Sequence, residues 1–270
     1  MVSVEEINVY PLKSGRGIPR AWVQVTSTGF EWDRHWMVID ERRRFLTQRT
    51  HPLMARIETE ITSSELVLRA PGLEPLGLPL EARGEPVSVT IWKDECPGLD
   101  QGDDASTWIS AMLGEPLRIV RVPSPPERWA NREFAGSIPA PVAFPDAYPV
   151  LVCNRASLED LNARMPEPIP MQRFRPNIVL SGLPAFAEDR IASVAIGAVV
   201  LRLVKPSTRC VITATDQSTG ERSTDPLPIL RDFRFDRTLL GVTFGENAVI
   251  ASGVGTRIER GSKCEVTYES

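Results

Sequence analysis

With 270 residues the chain has room for one large domain or two smaller ones, each with its own core. A formal net charge of −4, with 42% hydrophobic and 24% charged residues, is ordinary for a soluble globular protein and excludes a general attraction to nucleic acid or to an anionic membrane. No apolar run nears the roughly 20 residues that span a bilayer. The four well-separated cysteines (Cys96, Cys153, Cys210, Cys264) and two histidines exclude paired-cysteine zinc or iron–sulfur sites, a multi-histidine metal centre and a disulfide framework. In chain order, "MVSVEEINVYPLKSG" reads as a strand without the basic start and apolar centre of a signal peptide, so a soluble cytoplasmic protein is expected. Short strands follow in "AWVQVTSTGF", "ARIETEI", "ELVLRA" and "PVSVTIW". "WMVID" and "RFLTQ" form a hairpin pattern with Glu41, Arg42 and Arg43 at its turn.

A helix is predicted over 103–114, from a capping aspartate to Gly114, and "PLRIVRV" is again a strand. Residues 122–149 are proline-rich and irregular, a connector or active-site loop between two halves. A second helix runs over 154–165 from Asn154, with Leu158 and Leu161 on one face. The strands "NIVLSG", "SVAIGAVVLRLV" (broken by a turn at Gly197), "RCVITAT" and "CEVTYE" complete the pattern, with a short helix in "PLPILRDFR". Many short strands and few helices predict a mainly β protein of closed or nearly closed barrels, divided near residue 120.

One stretch stands apart: "KPSTRCVITATDQSTGE", residues 205–221. Cys210 follows a proline, two hydroxyl residues and Arg209. A neighbouring cation favours the thiolate, and a thiolate suits a soft metal. Composition alone favours the opposite, a chemically silent buried cysteine.

Three N-terminal stretches, "YPLKSGRG", "GFEWDRHWMVID" and "FLTQRTHPLMARI", resemble the N-terminal β-barrel domain of MOSC proteins. "FPDAYPVLVCNRASLEDLN", "RFRPNIVLSG" and the Cys210 stretch resemble the MOSC domain proper, in the branch of the mitochondrial amidoxime-reducing component and its bacterial relatives. The resemblance implies 1–120 as the N-terminal β-barrel domain and 121–270 as the domain that binds molybdenum cofactor (molybdopterin). It implies Cys210 as the molybdenum ligand and a reductase of N-hydroxylated compounds such as amidoximes, hydroxylamines and N-hydroxylated bases. No ferredoxin-type cysteine motif and no membrane anchor are found, so electrons are expected from a separate flavin or iron–sulfur reductase. The rival reading is a non-catalytic carrier of the cofactor or of persulfide sulfur.

The same resemblance assigns Lys13, Ser14 and Arg34 to the pterin and its phosphate, which call for charge-assisted donors. It adds Thr208 and Arg209 beside the cysteine, and Arg175 and Asn177 from "RFRPN", with Pro176 expected to hold Arg175 extended. Asn247 matches a contact that is often aromatic in relatives. Asn154 and Ser157, at a helix start, suit an anion, although simple capping explains Asn154 equally well. Asp216 is either a proton-handling or orienting group at the site, or a turn residue. His35 and His51 are expected to be structural or superficial.

Overall fold

The structure is a computed structural model and describes residues 1–269. The strands that position the site are β1 (Ser3–Val9), β2 (Trp22–Thr26), β3 (Trp36–Ile39), β4 (Glu85–Ile91), β5 (Asp94–Asp100), β6 (Arg118–Arg121), β7 (Val150–Asn154), β8 (Ile178–Ser181), β9 (Ile191–Ile196), β10 (Val199–Thr208), β11 (Gly241–Ser252), β12 (Arg257–Glu259) and β13 (Glu265–Tyr268). The helices are α1 (Asp103–Leu113), the one-turn α2 (Arg132–Ala135), α3 (Arg155–Arg164) and α4 (Leu227–Arg234). The protein is mainly β, as expected.

The largest sheet runs β1-β8-β7-β11-β10-β9-β13, with a short ladder at Ile18–Pro19 beyond β1. Within this sheet, among the described residues, only β7 and β8 pair in parallel, and α3 lies between them in sequence, the crossover that parallel neighbours need. All five residues of β7 are buried, the pattern of a strand covered on both faces. The sheet curls until Lys263, just before β13, bridges Ser3 of β1, and Val4 N–H donates to Ser262 O at 2.9 Å. A bridge and a few hydrogen bonds bring the ends together where a closed barrel would have a full ladder. The N-terminal sheets are smaller: β3-β6-β5-β4, whose end strands β3 and β4 are linked through isolated bridges at Phe45 and Arg44, and a three-stranded sheet over 58–79.

The division near residue 120 does not separate the packing. Val4, Ile7, Val9, Val23, Val25 and Phe30 share a core with Val150, Ile178, Leu201 and Ala248. Residue pairing explains this: Ile7 faces Ile178, and β2 pairs with β12 near the other end of the chain. A second core, around Trp36, Leu66, Trp108 and Ile119, belongs to the N-terminal half.

Several local signals held, but the strand expected in "RCVITAT" is a 3-10 turn over Val211–Ala214, closed by Thr213 N–H donating to Cys210 O. Asn154 caps α3 by accepting Ala156 N–H at 3.2 Å, and Gly114 ends α1 at φ +81°. The cap of α1 is Gly102 (φ +89°) instead of an aspartate; Asp103 and Asp104 fill the first turn, where they complement the positive end of the helix. Gly197 turns β9 into β10 at φ +60°.

Candidate active site

Cys210 lies directly beyond the end of β10, at the start of a 3-10 turn over Val211–Ala214. Its neighbour Arg209 is tied to β11 by an N–H bond to Val242 O at 2.8 Å. Cys210 opens onto a cavity of about 340 Å³, walled by the 13–14 loop, Arg34, the 47–49 turn, the β4–β5 turn at Trp92, the 145–148 loop, Phe174–Asn177 and the end of β10.

The wall is cationic. Lys13, Arg34, Arg49, Arg175, Lys205 and Arg209 line it against a single carboxylate, Asp146. Each buried cation is held by the fold. Arg34 pairs with buried Asp33 and donates to Asn177 Oδ1 at 2.9 Å. Asn177 in turn donates to Asp33 Oδ1 and Asn8 O. Arg34 and Arg175 both lie against the ring of buried Tyr10, at 4.5 and 4.3 Å, and the Tyr10 hydroxyl donates to Pro176 O. Arg175 donates to Gly15 O (2.8 Å) and Gln217 Oε1 (3.1 Å). Arg209 donates to Ser207 Oγ and Phe174 O.

Burial sets the charges. It lowers Lys13 to about 8, against the opposing pull of Asp146. It lowers Arg175 to about 10, which leaves it charged at neutral pH. Burial alone would raise Asp146, but Lys13 and Arg49 outweigh it and hold that carboxyl below the usual carboxylate range. Lys13 Nζ donates to Asp146 Oδ1 at 2.6 Å and to Phe144 O at 2.9 Å.

Arg209 Nε and Arg49 Nη1 are buried donors with no protein partner, as are Arg121 Nε and Arg173 Nε away from the cavity lining, so this feature does not single out the site. Backbone strain does concentrate here. Of eight non-glycine residues at positive φ among the described residues, Ser14 (+68°), Arg34 (+53°), Trp92 (+57°) and Arg175 (+56°) line the cavity. Arg175 therefore differs from the extended geometry expected before Pro176. It takes the left-handed conformation that ends a 3-10 turn over Met171–Phe174, with its N–H donating to Gln172 O, and this aims its guanidinium at Gly15 and Gln217.

Comparison with known proteins shows the family. The model of the MOSC N-terminal beta barrel domain matches residues 1–116, and that of the MOSC domain matches 139–265. The mitochondrial amidoxime reducing component 2 of Bos taurus is 32% identical over 243 residues, 86% of this chain and 72% of that protein. The mitochondrial amidoxime-reducing component 1 of Mus musculus is 33% identical over 242 residues, 86% and 71% of the two chains. The chain belongs to the MOSC family.

In this MOSC protein, the cavity brings together Lys13, Ser14, Arg34, Arg175, Asn177, Thr208, Arg209, Cys210 and Asn247. Asn177 acts there through Arg34 and Asp33, and Asn247 donates to Lys205 O at 3.2 Å. Three expected residues are elsewhere. Asn154 and Ser157 are fully buried around Glu188: Ser157 Oγ donates to its carboxylate at 2.7 Å and Asn154 Nδ2 at 3.1 Å. An N-terminus already facing a carboxylate has no place for an anion. Asp216 closes a turn, accepting from Ser218 N–H at 2.8 Å and from Thr219 N–H at 3.2 Å, with Arg173 on its other oxygen. Those bonds, Ser218 first, hold it below the usual carboxylate range. The residue after it reaches the site in its place, because Gln217 joins Arg175 to Gln48.

Arg49, Asp146, Lys205 and Trp92 were not expected at the site. His35 is half-buried between Trp32 and Trp36 and pushed down to about 3 by desolvation, and His51 contacts Glu115. Among the described residues no group of three or more histidine, cysteine, aspartate or glutamate side chains could hold a metal ion, and no helix is long and apolar enough to cross a membrane. A metal here must bring most of its ligands with it.

Proposed function

We propose that this protein is a molybdenum cofactor-dependent reductase of N-hydroxylated compounds, with the Cys210 sulfur as the metal's protein ligand. The observation that carries the reading is the pairing of one cavity-facing cysteine with six cations against a single carboxylate. A soft sulfur beside a strongly anion-attracting wall fits a group that joins a thiophilic metal to a phosphate-bearing pterin. The related proteins named for amidoxime reduction support the substrate class.

In this reading Arg34, Arg175 and Arg209 hold the phosphate and pterin, since each is fixed by backbone or buried acceptors before the ligand arrives. Lys13 and Arg49 flank the same cavity, with Asp146 balancing both. The bound cofactor supplies two-electron chemistry at oxygen, which no side chain here can provide. The overall conversion takes R–NH–OH, two electrons and two protons to R–NH2 and water. Electrons come from a separate donor protein, a flavin or iron–sulfur reductase. Lys13, lowered to about 8 and hydrogen-bonded to Asp146, is a cavity group able to hold a proton near neutral pH.

The test is composition and turnover together. Protein made in a cofactor-competent host should carry close to one molybdenum per chain with releasable pterin, and protein from a pterin-deficient host should fold without either. With a chemical reductant the loaded form should reduce benzamidoxime, and NADH alone should not drive it. Equal metal content from both hosts would remove the assignment.

A further inference from the structure

Trp92 is an anomaly of this site. It occupies the first position of a two-residue turn between β4 and β5, where Asp94 pairs with Ile91. Its φ of +57° is a conformation that such a hairpin turn usually gives to glycine or asparagine, and that a bulky residue adopts at a cost. The side chain gains little from burial in return, being 51% exposed. It is nevertheless fixed. Arg49 lies over the ring at 4.6 Å, and Phe45 meets it edge-on at 5.0 Å. Phe45 itself carries Lys13 at 5.2 Å, and Arg49 reaches Asp146. The indole is thus anchored to the cation wall, with half of its surface left open at the cavity.

We infer that Trp92 is a stacking platform that selects planar, π-bearing substrates at the cavity mouth. The inference rests on the proposed reduction of N-hydroxylated compounds and narrows it: aryl amidoximes and N-hydroxylated bases are favoured over aliphatic N-hydroxylated compounds. Aryl and alkyl amidoximes are both neutral near pH 7 and meet the same charge-assisted donors of the wall, so the preference comes from the aromatic face alone. A ring stacked on the open indole would leave its N–OH substituent directed into a cavity lined by Cys210.

Two variants separate this role from a structural one. Trp92→Gly suits the positive φ, so the fold is kept and the melting temperature holds or rises. Trp92→Phe retains an aromatic face. In the molybdenum-loaded protein, the ratio of kcat/KM for benzamidoxime over acetamidoxime should fall roughly three- to tenfold in Trp92→Gly, mainly through KM, and largely return in Trp92→Phe. A second readout needs no turnover: benzamidoxime titrated into cofactor-free protein should quench tryptophan fluorescence, and the quench should vanish in Trp92→Phe. A protein that reduces neither compound but shows the Trp92-dependent quench would overturn the reductase reading and leave the platform standing. An unchanged ratio in Trp92→Gly, or a quench that survives in Trp92→Phe, would overturn the platform.

Discussion

Two polar regions lie inside this protein, and their contrast separates architecture from a site. Around Glu188 an acid is enclosed by neutral donors from Asn154 and Ser157, and Ser157 also accepts Phe186 N–H at 2.8 Å. Around Cys210, cations outnumber acids and the backbone is strained at several residues. The first region is complete within the chain. The second is organised for something the chain does not contain. Residue type alone does not distinguish them, since both draw on residues that suit an anion.

The largest effect should come from sulfur. Cys210→Ser removes a soft ligand with almost no change in volume, so molybdenum content and reductase activity should be lost while the melting temperature stays near wild type. Cys153 is the control: it is fully buried with its thiol pushed up by burial, and its sulfur would lie 2.6 Å from a Cβ placed at Gly245. Cys153→Ser should cost modest stability and keep the metal. Substantial activity in Cys210→Ser would refute the ligand assignment.

The contrast can next be broken from both sides. Glu188→Ala strands the donors of Asn154 and Ser157 and should cost about 1–3 kcal/mol of stability, with pterin retention unchanged. Arg175→Gln should do the reverse, since its acceptors are neutral. Pterin retention through gel filtration should drop by a free energy on the order of 1.5–3 kcal/mol, with little change in melting temperature. Arg34→Ala is a poorer probe, because it would leave buried Asp33 without its cation and mix instability with lost binding. Parallel losses of stability and retention in both variants would erase the distinction drawn here.

Titration offers a finer test. Burial, then Asp189 and Glu188, raises Glu246 to about 9 from 4.5. Between those values the folded state binds more protons than the unfolded state, so this residue makes stability fall as pH rises from about 4.5 to 9. Glu246→Gln should flatten that decline in denaturant titrations and raise stability at pH 8; an unchanged slope would contradict it. The smallest expected effect is at Lys13. Its charge is present below about 8 and lost above it, so phosphate binding to cofactor-free protein should weaken as pH rises through 8. Lys13→Met should remove that step. The same depressed value makes the unfolded state the better proton binder between about 8 and 10.5, so Lys13 adds a stability term that grows across that range.

What the sequence revealed follows the range of the physics. Helix limits and the turn at Gly197 depend on neighbouring residues and were legible within a residue or two. Lys13, Arg34, Arg175 and Cys210 were legible through motifs, and the cavity unites them. Asn154 and Ser157 were misplaced because Glu188, which decides their role, is 34 and 31 residues away. Asp216 was drawn to the site by its nearness to Cys210, but its turn satisfies it locally and offers Gln217 instead. Arg49 and Lys205 lie inside the quoted "FLTQRTHPLMARI" and "KPSTRCVITATDQSTGE" stretches, where their own positions do not set them apart from other surface cations. Asp146 sits within the quoted "FPDAYP" stretch, and Trp92 reads as the last residue of the "PVSVTIW" strand because "DECPGLD" after it, with its proline and glycine, shows no strand pattern.

The pairing of β1 with β8 also constrains the order of assembly. Ser3 and Ser181 hydrogen-bond across 178 positions of sequence, so during synthesis the first strand emerges long before its partner exists. Until then Val4, Ile7 and Val9 lie on an apolar strand paired only at its end with Ile18–Pro19 and otherwise open along the edge that β8 will cover, the kind of segment that chaperones shield and that aggregates when left alone. Long-range closure of this sort slows folding. A fragment ending at residue 120 would keep that unpaired strand permanently, so the N-terminal half should be insoluble alone and recoverable by co-expression with 121–270.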